Sequence, residues 1–188
     1  MGNKVNFGLS KAHYATYTEL DGVITYDTPI PLPGAVELSL EPRGDMVEFY
    51  ADNMLYYSAS NNQGYDGTLS IATIPEQFSI DALGEEKDEV DMVLTEKTTG
   101  KQKPFALLFQ FEGDVKATRH VLYKCSANRP NVTGTTKTDS VEPSPNELTF
   151  VSSPRATDNA VKTKTTPETV TEIYDAWYTS VYEKTPVV

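Results

Sequence analysis

The sequence predicts a mainly β fold flanked by short helical segments, and three observations carry that expectation. Polar and apolar side chains alternate through Val36–Leu40 and again through Thr68–Ala72. The same period of two runs through Phe105–Phe111 and Thr118–Ala127, the signature of strands with one or both faces buried. Helical spacing is found in two short stretches, residues 75–84 and 166–181.

In chain order, residues 1–33 read as an N-terminal arm carrying one short strand, His13–Thr18. Pro29, Pro31 and Pro33 then remove backbone donors and hold the chain extended. The core section, residues 34–153, opens with Val36, Leu38 and Leu40 alternating with Glu37, Ser39 and Glu41. Its partner strand sets Leu69 and Ile71 against Thr68, Ser70 and Ala72. Between the two strands lies a long loop, residues 45–61, that holds Met46, Val47, Glu48, Phe49, Tyr50, Asp52, Asn53, Met54, Leu55, Tyr56 and Tyr57. Loops beyond roughly 12 to 15 residues are usually functional or disordered. This one is too aromatic for disorder. A contiguous exposed apolar patch marks a protein contact, and the interleaved Asp45, Glu48, Asp52 and Asn53 give the mixed composition of a specific interface.

A short helix follows, with Pro75 in its first turn, Phe78, Ala82 and Leu83 on one side and Gly84 as its stop. The acidic run Glu85–Asp91 reads as a solvated loop. Phe105–Phe111 is apolar on both faces and therefore central, and the turn Glu112-Gly113-Asp114 leads into a strand at Thr118–Ala127. Two more strands are expected at Val132–Val141 and Glu147–Ser152, completing a meander of hairpins. Residues 154–166 read as a polar linker. Thr166 then caps a C-terminal helix with Pro167 and Glu168 in its first turn and a stripe of Val170, Ile173, Tyr174, Trp177, Tyr178 and Val181. Arm, core, and linker with helix (154–188) make up a single domain.

Composition narrows the function. The chain carries 16 basic and 27 acidic residues, a net charge of −11, which disfavours general binding to nucleic acid or to anionic membranes. No apolar run approaches a membrane span, the N-terminus has no signal-peptide core, and the single Cys125 suits a reducing cytoplasm. His13 and His120 lie far apart, no metal-ligand spacing or nucleotide fingerprint occurs, and no cofactor or catalytic residue is assigned. His120 and Cys125 read as packed strand residues, and the acids of 85–91 lack the pattern of a calcium loop. A small hydrolase would need convergent acid, base and nucleophile. A monomeric carbohydrate-binding module would expose Trp177, which here belongs to a helical stripe.

Several strings, taken together and in order, carry a resemblance: PGAVELSLEP at 33–42, EFYADN at 48–53, PFALLF at 104–109 and ATRHVLY at 117–123, continuing through Arg129-Pro130 and Tyr174-Asp175-Ala176-Trp177-Tyr178. Over nearly its whole length the chain resembles the major tail proteins of bacteriophages with long non-contractile tails. The resemblance implies a β-sandwich or barrel-like tail tube fold and six copies per ring. It also implies rings stacked into a hollow tube, with a tape-measure protein inside and terminator and tail-tip proteins at the ends, assembled in the host cytoplasm as part of the virion. The loop from Met46 to Tyr57 is then the contact between subunits or rings. Glu37, Ser39 and Glu41, on the polar face of their strand, are expected to line a bore that repels transiting DNA. A related connector or terminator that forms one ring is the alternative within the same resemblance.

Overall fold

One long antiparallel sheet organises the chain. The computed structural model describes residues 2–134, 136 and 144–184. Its strands are β1 (Asn6–Leu20), β2 (Val23–Tyr26), β3 (Ile30–Pro31), β4 (Ala35–Arg43), β5 (Met46–Ala51), β6 (Met54–Ser60), β7 (Gly64–Ile71), β8 (Glu86–Lys87), β9 (Leu94–Thr95), β10 (Phe105–Gly113), β11 (Thr118–Ala127), β12 (Asn146–Ser152) and β13 (Lys162–Lys164). The main sheet runs β2-β1-β10-β11-β12-β7-β4, with β13 on the free part of β11 and β3 on β1. β5 with β6, and β8 with β9, form separate two-stranded hairpins. Leu32 N–H donates to the Ala12 carbonyl at 2.8 Å, and the chain passes directly from there into β4. β4, at one end of the strand order, thus comes back against β1, next to the other end, and the sheet rolls toward a barrel.

The alternation read from sequence fills two cores on opposite faces of this sheet. The inner face supplies Tyr14, Leu69, Ile71, Phe105, Phe109, Leu122 and Phe150, closed by Phe78 from the helical turn α1 (Glu76–Phe78) and its π-helical continuation Ser79–Leu83. Gly84, with φ 78°, ends that turn, as the sequence suggests. Gly67 lies under the Phe150 ring, where a Cβ would come within 2.2 Å of a ring carbon, so only glycine fits. The outer face supplies Ala15, Ala106, Leu108, Val121 and Tyr123, covered by Trp177 and Val181. β10 is buried on both faces because it lies between these two cores.

Four elements differ from the sequence reading. The first strand spans Asn6–Leu20 and pairs along β10, so a segment that reads as an arm supplies an interior strand. Register shifts between Phe7 and Leu9 and between Ser10 and His13, with Gly8 and Lys11 at positive φ, scramble the period of two before His13. Residues 128–134 form no strand and Val132 is fully exposed; apart from residue 136, which is irregular, the rest of the expected strand Val132–Val141 lies outside the described residues. The polar segment 154–166 is not a loose linker. Val161 and Thr165 are buried while Lys162 and Lys164 face out, and Arg155, only 4% exposed, grips Asp158 with two hydrogen bonds of 2.7 and 2.8 Å and Glu183 with a third of 2.9 Å. The C-terminal helix α2 (Thr171–Asp175) is shorter than expected: Thr166–Thr169 forms a turn, and a 3₁₀ turn at Ala176–Tyr178 ends it. From Ile173 onward the stripe packs on its own sheet, while Val170 stays exposed.

Candidate assembly surfaces

The segment expected to be a loop is the β5–β6 hairpin. Asp52 and Asn53 both adopt positive φ (52° and 58°), the mark of a type I′ turn whose twist matches that of the flanking strands. That pair of residues was the signal in the sequence for a hairpin. All eight large apolar side chains from Met46 to Tyr57 are exposed, by 48 to 71%, and none joins either core. Each large side chain that a partner covered would contribute roughly 1 kcal/mol.

Register gives the hairpin two unlike faces. Val47 pairs with Ala59 and Phe49 with Tyr57 on one, which is aliphatic and aromatic with no charged group. The other pairs Met46 with Ser60 and Glu48 with Ser58, and there the Tyr50 hydroxyl donates to Glu48 at 2.8 Å. The base is fixed by backbone: Gly44, at φ 106°, sits where a Cβ would fall 1.8 Å from the Asn61 carbonyl oxygen, and Gln63 N–H donates to the Arg43 carbonyl at 3.0 Å.

Glu37, Ser39 and Glu41 are all exposed on β4, while Leu38 and Leu40 pack inward. Pairing extends their face across the sheet: Glu37 to Ser70 to Glu147, Ser39 to Thr68 to Thr149, and Glu41 to Asp66 to Val151. This is the same side of the sheet that Trp177 and Val181 cover over β1, β10 and β11. Over β12, β7 and β4 it is bare, polar and acidic, with Arg43 tied to Asp66 at 3.4 Å. Sequence reasoning missed Asp66 and Glu147, which alternate in phase with the β4 acids once the register is known.

Cys125 and His120 are both packed within the sheet. Cys125 is fully buried, and burial pushes its thiol up to about 12. His120 stacks on Phe109 with ring centroids 5.0 Å apart; burial first, then Lys162 and Lys164, drive its pKa down to about 4. Among the described residues no three His, Cys, Asp or Glu side chains cluster as metal ligands, and no helix is long and apolar enough to cross a membrane.

A family model described as phage tail tube protein matches residues 2–185. No curated protein matches the chain. Among solved structures, the anti-feeding prophage cap (AFP tube terminating cap) aligns with a TM-score of 0.50 at 10% identity, covering 88% of this chain and 95% of that one. The sheath-tube complex of an extracellular contractile injection system, PVC, in its extended state gives a TM-score of 0.46 at 10% identity over 87% and 93% of the two chains.

Proposed function

This chain belongs to the phage tail tube protein family, and from that premise we propose that it self-assembles into hexameric rings stacked as the tube of a long non-contractile phage tail. The observation that carries the reading is the β5–β6 hairpin, eight large apolar side chains held out into solvent on a base of fixed geometry. A lone barrel gains nothing from such a projection; a repeating assembly buries it. The role is structural and the tube is the conduit for DNA ejected into the host. Other tail proteins are its partners: a tape-measure protein in the bore, a terminator above and tip proteins below, all put together in the host cytoplasm.

The test is negative-stain electron microscopy of the concentrated, purified protein. Hollow tubes are expected. Closed single rings would favour a connector or terminator, a second reading supported by the fold shared with a tube-terminating cap. Particles that stay monomeric at every concentration would overturn self-assembly by this chain alone.

The bare acidic face of β4, β7 and β12 is read as the bore. DNA phosphates slide past carboxylates that repel them. Glu37→Lys with Glu41→Lys is therefore expected to give tubes of normal shape that retain DNA, seen as slowed or incomplete ejection that worsens as salt is lowered. Normal ejection from such tubes would place the bore on another face.

A further inference from the structure

We propose that successive copies dock head to tail through a second contact, in which the acidic β8–β9 tip of one barrel seats in a lysine-flanked groove at the opposite end of the next. The proposal rests on the self-assembly reading above and assigns it residues outside the aromatic hairpin.

The tip is a preformed plug. The Asp88 carboxylate accepts from the backbone N–H of Val90 at 2.8 Å and of Asp91 at 2.7 Å, and Asp88 N–H closes the turn on the Val93 carbonyl at 2.9 Å. That turn presents Val90, 87% exposed, between Glu89 and Asp91, with Met92 and Val93 also exposed. The nearby cations are already committed: Lys87 to Glu76, Lys97 to Glu86 and Arg129 to Glu96. Among the described residues neither Glu89 nor Asp91 has a cationic partner.

The groove is a cavity of about 250 Å³ whose lining includes Gly2, Asn3, Val115, Lys116, Lys164 and Pro167. Asn3 stiffens its wall, its amide donating to the Lys116 carbonyl at 2.6 Å and accepting from Lys116 N–H at 3.0 Å. Lys116 lies 3.6 Å over the Tyr174 ring, and neither it nor Lys164 forms a salt bridge among the described residues. An apolar side chain flanked by two carboxylates thus faces a cleft of mixed polar and apolar lining, with Val115 and Pro167 for the side chain and two ammonium groups for the carboxylates.

Position excludes a contact within one copy. The Glu96–Arg129 pair ties the β8–β9 hairpin to the end of β11, whereas Val115–Thr118 in the groove precede its start. Ten residues of strand separate the two by roughly 30 Å. A contact between one end of a strand and the other end of the same strand in a neighbour is heterologous, and it propagates.

Charge reversal tests it. Glu89→Lys with Asp91→Lys, and separately Lys116→Glu with Lys164→Glu, are each expected to cut the sedimentable fraction at least tenfold at low salt. The chain carrying all four changes is expected to recover it. A pair that assembles like the native chain, or a fourfold variant no better than the pairs, would overturn the contact. Circular dichroism verifies folding. Should a lysine pair unfold, Val90→Cys with Val115→Cys supplies a second readout: oxidation is expected to give a ladder of intermolecular disulfides, and its absence overturns the contact. Native tubes without rescue or ladder would remove this contact alone. A native chain that does not assemble, together with a cysteine variant that gives no ladder, would remove the tube reading with it.

Discussion

A chain lacking Met46–Tyr57 is expected to fold as the native barrel and to form no tubes. The deletion removes exposed side chains and the half-buried Ala51, none of them in either core, and keeps the base residues Gly44 and Asn61. Its unfolding free energy should therefore change by no more than about 0.5 kcal/mol, the range of surface changes away from packed features. The effect on assembly should be near total, because subunit interfaces draw most of their energy from a few buried aromatic anchors. Phe49, Tyr50, Tyr56 and Tyr57 are the aromatics on offer. Sedimentation and electron microscopy, with a urea titration for stability, measure both quantities on one preparation. Normal tubes from the deleted chain would dismiss the hairpin as an assembly element. A large loss of stability would show that it packs on its own subunit after all.

The second large effect is thermodynamic. Trp177→Ala is expected to cost about 3 to 5 kcal/mol, the usual range for truncating a buried large aromatic. Trp177 is 2% exposed and packs with Leu108, Val121 and Tyr123; its indole N–H donates to the His120 carbonyl at 3.3 Å, and its ring stacks on Tyr182. Removing it uncovers the outer core, so residues 166–184 should also become sensitive to limited proteolysis. Trp177→Phe retains most of the bulk and should lose less than half as much. It is the only tryptophan, so native fluorescence reports directly on whether this lid is closed. A loss under 1 kcal/mol for Trp177→Ala would mean that the segment adds nothing to the fold.

Most of the sheet was legible because its strands obey one period with few interruptions. Thr118–Ala127 was predicted to the residue, and Phe105–Phe111 was read as central from two apolar faces. The early half of β1 was not, because two register shifts rephase its side chains, and the sequence names neither. Residues 154–166 misled for a different reason: Thr163 and Thr165 are polar by composition yet turn inward, while Lys162 and Lys164 turn out, so only alternation, not hydropathy, marks β13. In the surface hairpin, composition identified the exposed apolar patch and Asp52-Asn53 held the turn type. Asp66 and Glu147 join the β4 acids only through strand pairing, which one chain of letters does not specify.

The two exposed hairpins bracket β7 in the chain: β5–β6 leads into its first residue, Gly64, while α1 and β8–β9 follow its last, Ile71. They therefore leave the barrel at opposite poles, one aromatic and one acidic. Any filament made by repeating this barrel along that line has direction. Its two ends display different chemistry at every length, so growth can be started at one and arrested at the other by separate factors, and a subunit arriving upside down finds no matching surface.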